Sequence, residues 1–437
     1  MKAMSSFGFA LSIGTAAAIL AACQGQSVTP QPGGPVGGPA GNASEPLLHA
    51  QGPKHYPNYT VAILAGFGGN FDSATGLNES GDVAGFSLYP GTGPVHAAQW
   101  RNGTITDLGT LGGISSGLSF ANEEHSINAS DVITGSSETA TPDPNAENKC
   151  GFASLECRAF LWKHGAMTSL PTLGGNNAVG AAINNRGQVV GVSETSTLLD
   201  CYSPIFLYDF FGFVWDKGRI TELPAESGDQ GTLASDINDR GDVVGTSGYC
   251  DVAAHSVLRK GGKIIDLGSL GGANGQLPSG INDREEVVGA SDLPGDYHHH
   301  AFLWRRGHIS DLGTLPGDVD SEAQNINNGG QIAGFSFDAY GNVRAVLWYG
   351  GAIYDLNTLV PPSSGIFLQE ALDINARGQI AGFGCIKCDG SDQIPFLATP
   401  TGSYSSGKVT KSKLPLSGRS PVIVSNSLRK WGRRTGP

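Results

Sequence analysis

Charge is scarce in this chain: Asp, Glu, Lys and Arg make up 15% of its 437 residues, where roughly a quarter is usual. Apolar residues almost nowhere recur at helical spacing, and past the N-terminus no apolar run reaches the length of a membrane-spanning helix. A mostly helical fold is excluded on those grounds. Positive charge is missing from the main body in particular. From Thr401 onward there are eight basic residues and no acid, which leaves 19 basic against 39 acidic residues, a net charge of −20, for the rest. Such a body repels phosphate backbones and anionic membrane surfaces and suits cations, so no nucleic acid is expected to bind the main domain.

What is abundant is glycine, 65 residues, about twice the usual share. Short runs of Val, Ile, Leu, Phe and Trp bounded by Gly, Asn and Asp recur throughout, the pattern of a chain that is nearly all β. The stretch Ala182-Ile183-Asn184-Asn185-Arg186-Gly187-Gln188-Val189-Val190-Gly191 comes round seven times, centred on Asn78, Asn128, Asn184, Asn238, Asn282, Asn327 and Asn375. The intervals are 50, 56, 54, 44, 45 and 48 residues, which suits one small β-sheet per repeat.

Each period holds three pieces. The Asn motif reads as a tight turn whose glycine adopts positive φ and whose asparagine side chain closes on its own backbone. Asp131 and Glu285 stand where the other copies carry that glycine. The second piece, Ala159-Phe160-Leu161-Trp162 and Ala301-Phe302-Leu303-Trp304 with looser copies elsewhere, is apolar at successive positions and reads as a strand covered on both faces. The third, Ile105-Thr106-Asp107-Leu108-Gly109-Thr110-Leu111-Gly112-Gly113, is echoed at 266–272 and 311–317. Its glycines belong to turns, since a phosphate-cradling loop needs a helix behind it and here another β-type segment follows.

These pieces resemble the HAF repeat, a family of probable extracellular bacterial repeats; His300-Ala301-Phe302 keeps the full His-Ala-Phe signature, while His96 and His255 keep the histidine. The resemblance spans about Tyr59 to Pro400 and implies location and repeat architecture. It brings no activity and no catalytic residues.

A sheet with two apolar faces needs neighbours on both sides. Tyr59 to Gly69 looks like an orphan third piece ahead of any Asn motif, and the seventh repeat stops after Pro395-Phe396-Leu397 without one. The chain is therefore expected to be an all-β, seven-bladed β-propeller over 58–400, closed by an N-terminal strand that completes the last blade. An open solenoid would not need a split repeat.

Residues 1–23 read as a secretory signal, and Leu20-Ala21-Ala22-Cys23 resembles the lipobox of bacterial lipoproteins. Cys23 would then be the acylated residue that holds the protein on a membrane, with the outer membrane or cell surface favoured. Residues 24–57 read as a Pro/Gly-rich tether and 401–437 as a basic, disordered tail.

The six remaining cysteines all fall in the connection between the Asn motif and the aromatic strand, and an even count in an exported protein reads as disulfides. The preferred pairs are Cys150 with Cys157, Cys201 with Cys250, and Cys385 with Cys388, out of fifteen connectivities. The long third-repeat connection carries Tyr202, Phe206, Tyr208 and Phe210, the candidate binding surface. His298, His299 and His300 are weak metal candidates, because consecutive residues in a strand point to alternate faces. No metal, cofactor or catalytic set is otherwise indicated. The function expected is a monomeric envelope binding or interaction module for a protein or glycan ligand. A carbohydrate hydrolase or lyase with carboxylates at one propeller face, and a purely structural surface repeat, are the alternatives.

Overall fold

The computed structural model describes residues 56–91, 93–117, 125–145, 155–198, 208–249, 252–273 and 276–405. Cys23, the signal, the tether and the tail beyond 405 lie outside the described residues, as do Cys150, Cys201, Tyr202, Phe206 and Cys250.

Twenty-eight strands form seven four-stranded antiparallel sheets. The architecture is a seven-bladed β-propeller. Blades one to six occupy 72–107, 112–169, 174–222, 231–266, 276–311 and 320–355, each with its strands in sequence order from the inner to the outer edge. The seventh is split. Phe367–Ile374, Ile380–Cys385 and Ile394–Ser405 supply three strands and Tyr56–Ile63 supplies the outer fourth. Ile63 lies opposite Phe396, Val61 opposite Ala398 and Thr60 opposite Thr399. The orphan N-terminal piece and the truncated last repeat thus complete each other. Pairing continues to Tyr56 opposite Ser405, so the sheet runs a few residues past both ends of the span expected from sequence.

The turns follow from local chemistry. At the fourth position of the Asn motif φ is positive in every copy, including Asp131 (58°) and Glu285 (62°), where a non-glycine residue accepts the left-handed region at some cost. The hairpin between third and outer strands is a two-residue turn with positive φ at both positions, as at Asn102-Gly103 and Arg306-Gly307, the geometry that matches strand twist.

Three residues before the Asn motif's asparagine, the inner strand slips register in six blades, for example between Ala234 and Asp236 and between Ala371 and Asp373. This repeated bulge brings the inner backbone against the second strand. A Cβ on Gly191 would sit 2.0 Å from the Val179 carbonyl and one on Gly245 2.0 Å from that of Leu233, so the last glycine of the motif is a steric requirement of the bulge.

Between each pair of neighbouring blades lies one apolar cluster. Between blades one and two it contains Ala84, Leu108, Ile127, Ile133, Phe160 and Trp162. Between seven and one it contains Leu64, Leu77, Val83, Trp100 and Ala381. The aromatic strands are core, as their uninterrupted apolar pattern predicts: Phe160, Phe213 and Phe302 are fully buried. Among the described residues no helix is long and apolar enough to cross a membrane.

Candidate functional site

The seven asparagines make a closed ring. Each side-chain Oδ1 accepts the backbone N–H groups two and four residues on, as Asn184 does from Arg186 (3.1 Å) and Gln188 (2.9 Å). Each Nδ2 donates to the main-chain carbonyl of the next blade's asparagine, from Asn78 to Asn128 and round to Asn375, which returns to Asn78 at 3.0 Å. The turn reading holds, and the same residue also fastens its blade to the next. Asn184→Ala would leave two N–H groups without partners and the Asn238 carbonyl with only the Gly241 N–H, an expected loss of about 2–4 kcal/mol in urea unfolding. Asn184→Asp keeps the accepted bonds, gives up those donated to the Asn238 carbonyl and to Gln188 Oε1, and is expected to cost less than Asn184→Ala.

Inside the ring sits a polar well of about 80 Å³, lined by Asn78, Asn238, Asn282, Asn327 and Asn375 of the ring together with His125, Asn325 and Asp373 and by Ile127, Ile237, Ile281, Ile326 and Ile374. At roughly 10–15 Å³ per water this holds a few waters and no sugar ring. The bulge aims the residue two before the asparagine at the neighbouring blade. Asp373 Oδ2 accepts the Leu77 N–H at 2.6 Å, Asp236 Oδ2 accepts that of Ile281 at 2.9 Å, and Asn325 Nδ2 donates to Asp373 Oδ1 at 2.7 Å. His125 Nδ1, 3.7 Å from Asp236 Oδ1, has no hydrogen-bond partner.

Burial raises the Asp373 pKa to about 6, against the pull of His125 and two backbone N–H groups, and raises that of Asp236 for the same reason. Burial opposes protonation of His125, but the charges of Asp236, Asp373, Asp239 and Glu79 outweigh it and its pKa is raised. Burial thus favours the protonated form of Asp373 in the well and of Asp236 beside it, and the surrounding carboxylates favour the protonated form of His125.

Farther along the inner strands, five residues before the asparagine, Glu322 and Glu370 stand on adjacent blades, both buried. His299 Nε2 is 3.1 Å from Glu322 Oε1. Burial, with the charge of Glu322 adding to it, lifts Glu370 to about 8, so it is a neutral carboxyl at pH 7. Sequence reasoning missed Asp236, Asp373, Glu322 and Glu370. A signal existed: Asp-Ile-Asn occurs in the fourth and seventh repeats where the others place Gly, Ser, Ala or Asn before the apolar residue.

His298 Nδ1 and His299 Nδ1 lie 3.2 and 3.8 Å from the same Asp320 Oδ1, and His299 Nε2 also reaches Glu322. His300 turns away to Asp311 Oδ2 at 2.9 Å, so the three do not converge on one point. The histidine of the His-Ala-Phe signature faces an aspartate eleven residues on in three blades: His96 with Asp107 at 3.0 Å, His300 with Asp311, and His255 with Asp266 at 3.7 Å. Each aspartate also accepts the N–H of a glycine two residues later, Gly109, Gly268 or Gly313. The signature histidine orients the turn that starts the next blade.

Cys385 and Cys388 form a disulfide. Cys157 is buried and disulfide-bonded. Tyr208 and Phe210 lie in the strand Tyr208–Asp216, with Phe210 half-buried.

No protein-family profile matches the chain. No curated protein matches it either. Among solved structures it is similar to a puromycin-hydrolysing peptidase of Mycobacterium tuberculosis, with 12% identity, TM-score 0.48, 82% of this chain and 57% of that one. It is also similar to an acylaminoacyl peptidase of Pyrococcus horikoshii, with 11% identity, TM-score 0.45, 78% of this chain and 52% of that one. A third is the β-propeller domain of the Trilobed protease of Pyrococcus furiosus, with 11% identity, TM-score 0.43, 65% of this chain and 81% of that one. The chain spans a little over half the length of the two peptidases. Likeness at this level concerns the fold alone.

Proposed function

We propose that the protein is a cell-envelope binding module that meets its ligand, an envelope protein or glycan, at one end of the propeller. The observation that supports this is the difference between the two ends. At the asparagine end all seven blades make the same Asn turn and the first six the same two-residue hairpin. At the other end the connections between second and third strands vary from two residues (Tyr249 to Val252) to twelve (Pro142 to Leu155). Uniform turns serve closure; variable loops on a rigid scaffold are where recognition residues collect. Cys150, Cys201, Cys250 and Cys388 fall between second and third strands, and Cys157 and Cys385 near the strand ends that flank them, which fits loops held for presentation. The lipobox-like Leu20-Ala21-Ala22-Cys23 and the pieces resembling the HAF repeat support an exported, lipid-anchored, outer-membrane or surface placement.

The test joins both parts. Cys23→Ser is expected to move the protein from the membrane fraction to the soluble fraction of expressing cells. The purified chain, screened against envelope glycans and envelope proteins, is expected to retain a ligand whose affinity falls about tenfold or more when Phe206, Tyr208 and Phe210 are changed together to alanine. Undiminished binding by that variant would remove the loop face from consideration.

The hydrolase or lyase reading draws on Glu322 and Glu370, adjacent carboxyls of which one is held neutral, the pairing that acid–base chemistry uses. Both are buried, and neither lines the polar well inside the asparagine ring. Turnover of an envelope polysaccharide that disappears in Glu370→Gln would favour it over the binding module.

A further inference from the structure

We propose that Glu226, Asp229 and His255 form a divalent-cation site on the loop end of the fourth blade, with Zn²⁺ the best-fitting ion. One ligand atom from each lies within 4.8 Å of the other two. Rotation of half-buried side chains closes that to the spacing of donors held roughly 2.0–2.2 Å from a tetrahedral ion. Two carboxylates and an imidazole with an open fourth position suit a first-row ion such as Zn²⁺, while an imidazole disfavours Ca²⁺ and Mg²⁺.

The fourth blade departs from the other blades at this spot. In six blades the linker entering the blade donates one backbone N–H to a serine hydroxyl on the second strand. The residue that donates is Phe67, Leu111, Leu173, Leu270 or Leu315 in five of them, and Glu226 in the fourth blade. An apolar, packing position has been given to an acid. Asp229 has a counterpart in Asp318 of blade six, each donating its N–H three residues back to the carbonyl of the linker residue just named. There Asp318 is neutralised by Arg344, which stands opposite Ser336 as His255 stands opposite Ser247. The fourth blade thus carries one more carboxylate than the sixth, and an imidazole in place of the arginine.

A second observation points to a missing partner. Glu226 Oε2 and Asp229 Oδ2 are both shielded from solvent and neither has a hydrogen-bond partner. A buried carboxylate oxygen without a donor costs free energy that a bound cation removes. Arg259 does not supply that partner. Only 6% exposed, it occupies the place that Trp100, Trp162, Trp215, Trp304 and Trp348 hold in other blades. Its Nε and Nη2 donate to the carbonyls of Pro224 and Thr246 and it hydrogen-bonds neither acid, although the charges of Asp229 and Glu226 favour its own. Asp266, 3.7 Å from His255 Nδ1, stands where a carboxylate orients a liganding imidazole. Glu226, Asp229 and Asp266 together with Arg259 leave a local charge of −2, which a divalent ion cancels.

The full-length chain, stripped with chelator, is titrated calorimetrically with Zn²⁺, and with Mn²⁺ and Ca²⁺ in parallel. One Zn²⁺ per chain is expected, bound more tightly than Ca²⁺, together with a rise in melting temperature. Glu226→Leu installs the residue that four other blades carry here. It is expected to weaken Zn²⁺ binding about 100-fold or more while keeping or raising the melting temperature of the metal-free protein. His255→Ala should lose binding likewise, and His298→Ala with His299→Ala should leave it unchanged. Absence of Zn²⁺ binding at millimolar concentration, binding unaffected by Glu226→Leu, or a preference for Ca²⁺ would each overturn the proposal.

Discussion

Deleting residues 56–63 is expected to abolish the cooperative unfolding transition. The strand Tyr56–Ile63 is the outer edge of the seventh blade, and its partner Ile394–Ser405 would be left as an open edge. Its side chains also serve the next interface. Tyr59 is 1% exposed and belongs to the cluster that joins blades six and seven, with Leu347, Tyr354, Leu359 and Phe396. Tyr59→Ala alone should cost about 3–5 kcal/mol, the usual range for truncating a buried aromatic, against a total stability of roughly 5–15 kcal/mol. Tyr59→Phe is the control. The Tyr59 hydroxyl is buried with no hydrogen-bond partner, so its removal should be neutral or stabilising. Urea unfolding followed by tryptophan fluorescence reads all three, and a deletion variant that unfolds with unchanged midpoint would show that the ring does not depend on its seam.

Glu370→Gln is expected to stabilise the protein at alkaline pH and to leave it nearly unchanged near pH 4.5. The Glu370 carboxyl titrates at about 8 in the fold, against 4.5 in the unfolded chain. Between those values the folded state holds a proton that the unfolded state has released, so stability is fullest below 4.5 and falls as pH rises through 8. Asp373, raised from 3.8 to about 6, acts in the same direction over a lower window. The Glu370 displacement corresponds to roughly 4–5 kcal/mol as an upper figure, and removing that ionisable group should recover most of it above pH 8.5. Unfolding midpoints of both proteins from pH 4.5 to 9 check this; parallel pH profiles would mean that Glu370 ionises in the fold as it does in water.

Much of the architecture was legible because it depends on local rules. The positive φ at Asp131 and Glu285 follows from their place in a repeated turn, and the burial of Phe160, Phe213 and Phe302 follows from strands that are apolar at every position. The pairing of His96 with Asp107 and His300 with Asp311 was also within reach, since the spacing of eleven residues recurs. The sites were harder. Asp236 and Asp373 looked like ordinary polar residues beside a turn, because nothing in their neighbours reveals that a bulge points them at the adjacent blade. Glu226 sits in a linker whose other copies read Thr-Leu-Gly-Gly or close to it, and only alignment of the blades in space exposes the exchange of a leucine for an acid.

The sequence by itself determined the number of blades, their turns and the strand that closes them, since these rest on periodicity, backbone sterics and the need to cover two apolar faces. Only the tertiary structure decided which polar groups meet. The bond from Asn375 to Asn78 joins residues 297 positions apart, and His125 approaches Asp236 across more than a hundred. Such contacts are set by how far each blade is rotated from the last, a geometry that ring closure imposes on the whole chain and that no local stretch encodes.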